Sequence, residues 1–159
     1  MIRTIDRTLL DEVSTEARAA ERRRRNRNFH PHDDYPANRL LNAIEPGSYV
    51  MPHRHAEATK DETIIVLRGC LGLAVFDDAG RVVQALRLGP AEDSLGADIA
   101  HGTWHSVFAL VPGTVFFEAK AGPYRPLTEA ERAPWAPAEG SAEAPRYLAH
   151  LMEQFAATS

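Results

Sequence analysis

The amino-acid sequence predicts a mainly β fold, a small sandwich or barrel flanked by a helix at either end. Three observations point to it. After Pro36, short apolar runs recur between turn signals at intervals of about ten residues, the pattern of an all-β sandwich or barrel. At both ends of the chain, apolar residues instead fall one helical turn apart. A chain of 159 residues, 44% hydrophobic and 25% charged, is long enough for one buried core and ordinary for a globular protein. One structural unit is therefore expected, with a helical, basic extension over 1–36, the barrel over 37–120, and a proline-rich wrap and C-terminal helix over 121–159.

Ile5, Leu9, Val13 and Ala17 lie one turn apart with Asp11, Glu12, Glu16 and Arg18 between them, predicting a helix over 5–21. It runs into Arg22, Arg23, Arg24, Arg25 and Arg27. Cations there complement the negative end of the helix dipole, and guanidinium groups also suit a phosphate, carboxylate or acidic sugar. A nucleic-acid surface fits poorly, because the net charge is -4 and no aromatic residues are interleaved with the cluster. Asn26 to Pro36, which holds His30 and His32, reads as an ordered loop.

Strands are predicted at Asn38–Ile44, Ser48–His55, Thr63–Leu67, Leu71–Phe76, Val82–Leu88, His105–Val111 and Thr114–Lys120. Pro46-Gly47, Gly69, Asp77 to Gly80 and Pro112-Gly113 supply turns, and Gly89 to Gly102 reads as a looser passage. Pro123, Pro126, Pro134, Pro137 and Pro145 keep the tail from forming a central strand or long helix. It is expected to wrap the barrel, anchored by Tyr124 and Trp135. Tyr147, Leu148, Leu151, Met152 and Phe155 then share one face of a short helix. No apolar run approaches the roughly 18–20 residues that span a bilayer, so no membrane insertion is expected. The polar N-terminus lacks a signal-peptide core, which predicts a cytoplasmic protein. Cys70 is the only cysteine, so a cysteine-based metal site would lack partners.

The chemistry concentrates in Gly47 to Gly69 and Gly96 to His105. On a strand, His53 and His55 project to the same face with Cα atoms roughly 6.5–7 Å apart, so two imidazoles can converge on one ion. Glu62 opens the next apolar run, and His105 supplies a third imidazole after Gly102. Neutral imidazole and carboxylate suit one divalent first-row metal ion, whether Zn, Fe, Mn, Ni or Cu. The same alternation puts Tyr49 on the histidine face, where its hydroxyl could donate a proton. Glu118 shares a face with Phe116 and Lys120, as a second inward carboxylate or as a solvent residue. Arg25, His30, Arg68 and His101 are further candidates for contact with a small polar, anionic molecule.

GSYVMPHRH followed by ETIIVLRG resembles the first cupin motif, Gly-x5-His-x-His…Glu-x6-Gly, and AHGTWH resembles the end of the second, with Ala100 in place of proline. NRLLNAIEPGSYVMPHRH, KDETIIVLRGCLGLAVFDDAGRV, HGTWHSVFALVPGTVFFEAKAGPY and APWAPAEG are similar to the WbuC family of cupin-fold metalloproteins over most of residues 22 to 150. The resemblance implies a small cupin β-barrel of jelly-roll type with an N-terminal helix and a short C-terminal helix. It implies His53, His55, Glu62 and His105 as metal ligands. The spacer from His55 to Glu62 (AEATKD) is longer than usual, which leaves open a Glu62 that stands off the metal or a competing Glu57.

The family context implies a sugar or sugar nucleotide in polysaccharide (O-antigen type) metabolism, and cupin barrels commonly pair into homodimers. Metal-assisted isomerisation or epimerisation, with Glu62 or Tyr49 moving protons, heads the expectations. A dioxygenase, a non-catalytic metal- or sugar-binding or regulatory module, and a metal-free epimerase using His53 and Tyr49 are the alternatives.

Overall fold

The computed structural model describes residues 1–156 and stacks four layers: helix, sheet, sheet, helix. Helix α1 (Arg7–Ala19) starts where the Asp6 carboxylate accepts the Leu9 N–H at 3.0 Å, a side-chain N-cap. Its apolar stripe, Leu10, Val13 and Ala17, packs on Leu41, Ala43 and Val115 of the sheet below. The helix stops at Ala19, short of the arginines, and Arg23 takes a left-handed φ of 54° that turns the chain back.

The arginine cluster is therefore not a helix end. Arg24–Asn28 forms strand β1, antiparallel to β2 (Ala37–Ile44). Alternation divides its charges. Arg25 and Arg27 meet Glu16 of α1, at 3.6 and 2.5 Å, while Arg22 and Arg24 ion-pair with Glu139 of the C-terminal wrap. Arginines on this edge strand thus bind α1 and the wrap to the barrel.

The remaining strands are β3 (Glu62–Arg68), β4 (Leu71–Phe76), β5 (Val82–Leu88), β6 (Gly96–Ile99), β7 (Trp104–Ala109) and β8 (Thr114–Ala121). They form a five-stranded sheet, β1-β2-β8-β3-β6, facing a three-stranded sheet, β5-β4-β7, the jelly-roll sandwich expected from the sequence. Ile44, Ile64, Val66, Leu71, Leu73, Ala109 and Phe116 fill the space between the sheets. Helix α2 (Ala144–Ala156) lays Leu148, Leu151 and Phe155 on Phe76, Trp104 and Phe108, covering the outer face of the small sheet. Gly69 makes the β3–β4 turn at φ 80°, and a Cβ there would lie 2.5 Å from Thr114 Oγ1.

Two local expectations change. Gly96–Ile99 is not a loose passage but the edge strand β6, paired with β3 through Ile65↔Gly96. Ser48 to His55 is not a strand, and within it His53 alone makes isolated β-bridges, to His105 and Arg132. Side chains take the carbonyls that a ladder would use: Arg24 donates to Tyr49 O and Ser106 to Val50 O, while Pro52 has no N–H.

Regular alternation fails in that segment, which corrects the placement of Tyr49. Its side chain turns to the α2 side, buried against Tyr147, and its hydroxyl donates to Pro137 O at 2.9 Å. Burial raises its pKa further, so it is no proton donor to the barrel interior.

Arg68 likewise points away from the histidine segment, toward α1. At the far end of β3 its guanidinium donates to Leu10 O (2.8 Å), Ser14 Oγ (2.6 Å) and Gly113 O (3.2 Å) and meets Asp11 at 2.5 Å, clamping α1 to the sheet. Arg68→Ala is expected to destabilise the fold by about 2 kcal/mol in urea denaturation while leaving metal affinity unchanged.

Candidate metal centre

The wrap predicted for the tail runs beside the histidine segment. Arg54 N–H donates to Glu131 O at 2.9 Å, Ala133 N–H to Pro52 O at 3.0 Å, and Ala56 N–H to the Glu131 carboxylate at 2.9 Å. Of its expected anchors, Trp135 packs on Phe76 and Trp104, but Tyr124 is 52% exposed. On its other side the histidine segment is joined to β7: His53 N donates to His105 O at 3.0 Å and His105 N to His53 O at 2.9 Å. This exchange sets the two rings 4.6 Å apart.

His105 faces inward because it alternates with Trp104 and Ser106 on β7 and shares its side with Val107 and Ala109. His55 follows in the loop, its carbonyl accepting the Gly102 N–H at 2.7 Å.

Ring nitrogens of His53, His55 and His105 lie within 4.8 Å of one another. His53 Nδ1 faces Met51 O at 3.0 Å and His105 Nδ1 faces Thr103 O at 2.9 Å. A carbonyl can only accept, so both Nδ1 atoms carry the proton and both Nε2 lone pairs remain free to bind a metal. Glu62 Oε2 lies 2.8 Å from His55 Nε2 and 3.9 Å from His105 Nε2, so the long spacer does not keep the carboxylate away from the ring. Glu57 is exposed and is not part of the histidine cluster.

Lys120 and Glu118 complete the centre. Lys120 Nζ is 3.3 Å from Glu62, 3.2 Å from His55 Nε2 and 3.0 Å from Glu118, whose other oxygen accepts from Asn42 at 2.8 Å. The sequence placed Lys120 on one face with Glu118 and Phe116 but assigned it no role in the site. The signal was the alternation on β8, where Phe116, Glu118 and Lys120 share the inward face.

The charges follow from burial and pairing. Desolvation drives the His53 pKa down to about 3, helped by His105, and burial lowers that of His105 as well, so both rings stay neutral. Burial opposes the Glu62 carboxylate, but the His55 hydrogen bond and the Lys120 charge outweigh it and hold its pKa well below the usual range. Burial also opposes the Lys120 ammonium, and Glu62 and Glu118 outweigh it and raise its pKa. Glu118 is pushed up by burial and by Glu62. Neutral imidazoles beside an ionised carboxylate are a donor set that fits one divalent first-row ion.

The ring opens on two cavities. One, of about 530 Å³, is walled by Arg24, Arg25, Asn42, His53, Glu62 and His105. The other, of about 500 Å³, lies under the wrap between His53, His55, Lys60, Lys120, Tyr124 and Arg125. Arg25 therefore stands at the ring cavity, though largely exposed and near Glu16. His30 is buried and lines a smaller adjoining cavity, its Nδ1 facing the backbone of Arg39 at 3.1 Å. His101 is exposed, holds Asp61 at 2.8 Å, and lines neither cavity at the ring.

Fold and centre together describe a jelly-roll protein with an inward-facing cluster of three histidines. The chain belongs to a family described as "Domain of unknown function (DUF6016)", whose model matches residues 5–88, more than half of its length. No protein of curated function matches it. Similar solved structures include the conserved SPY1581 protein of unknown function from Streptococcus pyogenes (TM-score 0.52, 9% identity, 79% of this chain and 91% of that one). KdgF from Halomonas sp. follows with a TM-score of 0.49 and 19% identity, over 64% of this chain and 82% of that one. A cupin-2 domain containing protein from Shewanella frigidimarina has a TM-score of 0.46 and 21% identity, over 62% and 80%. The likeness to the streptococcal protein is one of fold alone.

Two outcomes follow from this geometry. Between pH 6.5 and pH 3 the unfolded chain binds a proton that native His53 refuses, so the metal-free protein loses stability as pH falls through that window. The slope is at most about 1.4 kcal/mol per pH unit for each such histidine, read from denaturant midpoints, and His53→Gln flattens it. Lys120→Met removes a cation held beside two of the donors and should tighten metal binding at least about tenfold in a competition titration.

Proposed function

We propose that the protein is a metal-dependent cupin acting on a small polar, anionic molecule of sugar or sugar-nucleotide type, with isomerase- or epimerase-like chemistry. The polysaccharide (O-antigen type) setting comes from the WbuC resemblance in the sequence. The observation that carries the reading is the close approach of His53, His55, His105 and Glu62 beside a buried Lys120–Glu118 pair. These four residues would hold the ion, which supplies a Lewis acid able to polarise a carbonyl or hydroxyl oxygen.

The chain's own residues do the rest. Glu118 and Lys120 face each other at 3.0 Å with their pKa values both raised, so the pair readily holds a proton in a site largely shut off from water. Asn42 fixes Glu118 from the other side, leaving the proton to move along the Lys120 direction. Epimerisation takes a proton from one carbon and returns it to that carbon, and isomerisation moves it to the neighbouring carbon; in this proposal Glu118 and Lys120 carry that proton.

Turnover of sugar phosphates and nucleotide sugars, with and without chelator, tests the reading. Activity should vanish on metal removal and return on adding one first-row ion. Glu118→Gln should lower kcat by about 10²–10⁴-fold with metal content intact. Full activity after complete metal removal would sink the proposal.

A further inference from the structure

The spacer between His55 and Glu62 runs over the surface, with Ala56, Glu57, Ala58, Thr59 and Asp61 all exposed, yet Lys60 in its midst is buried at 5% exposure. Surface loops normally turn lysine outward, because an ammonium taken from water needs a counter-charge. Lys60 has no such partner. Its Nζ donates to Pro123 O at 2.6 Å, and among the described residues no carboxylate oxygen lies within 4.0 Å of it.

The other cations around the two ring cavities are all matched. Lys120 has Glu62 and Glu118, Arg22 and Arg24 share Glu139, Arg25 has Glu16 and Arg125 has Asp34. A carbonyl uses one of the three ammonium protons of Lys60, and the residue lines the 500 Å³ cavity that also contains His53 and His55.

From this unmatched charge we infer that Lys60 is the oxyanion-binding residue of the site: a carboxylate or phosphate group of the substrate docks on its ammonium in the cavity under the wrap. The inference deepens the functional reading above, but its core, an anion on Lys60, stands without the metal. It also accounts for the long spacer, which carries a lysine inward from a loop whose other residues stay in solvent. Bringing a free oxyanion to a buried, unpaired ammonium supplies the missing counter-charge and forms charge-assisted hydrogen bonds.

Isothermal titration of the full chain with inorganic phosphate and, separately, with acetate tests it. The wild type is expected to bind at least one of them, with the tighter of the two identifying the group. Lys60→Met should weaken that binding tenfold or more, and Lys60→Gln, which can still donate to Pro123 O, should show the same loss if the methionine variant does not fold. Metal affinity of either variant should equal that of the wild type. Unchanged anion binding in both variants, or no binding of either anion by the wild type, overturns the inference. A wild type that binds anion through Lys60 but no metal would instead defeat the functional reading alone.

Discussion

The reciprocal pair of backbone hydrogen bonds between His53 and His105 is the contact on which the centre depends. A segment without regular secondary structure carries two of the histidines, and it has no sheet of its own to define their positions. By exchanging both main-chain bonds with the start of β7, His53 takes on the rigidity of a buried strand. The wrap closes the segment from the opposite side through Glu131 and Ala133. Only then do the Nδ1 contacts with Met51 O and Thr103 O select one tautomer in each ring.

Around that bridge the polar groups balance one another closely. Glu62 is nearly as buried as the apolar residues beside it, and it stays ionised because His55 and Lys120 offset its burial. Lys120 is in turn held by two carboxylates, and Glu118 by Lys120 and Asn42. Each member would be a poor choice for a protein interior alone. Together they form a connected network resting on a dry floor of Ile64, Val66 and Phe116, which keeps the electrostatic interactions strong.

Much of this was legible in the sequence. Alternation and turn residues located six of the eight described strands, and the spacing of His53, His55, Glu62 and His105 named residues that do come together. What failed has physical causes. β1 is a run of arginines and asparagines stabilised by pairing with β2 and by acids on α1 and the wrap, none of which local propensity can see. β6 is an edge strand of four residues rich in small side chains. Tyr49 was misplaced because alternation was carried through a segment whose carbonyls are taken by side chains. The reading of Arg68 rests on its charge alone, whereas its partners on α1 lie 54 to 58 residues earlier in the chain and Gly113 lies 45 residues later.

The wrap also imposes an order of assembly during synthesis. Both sheets are complete once Ala121 has left the ribosome, whereas the partners of Pro52 O, Arg54 N–H and Ala56 N–H come from Glu131 and Ala133. A nascent chain can therefore close its apolar sandwich while the histidine segment still lacks three of its main-chain bonds. The barrel is in this sense a mould that sets first, and the chemical centre is finished by the last quarter of the polypeptide.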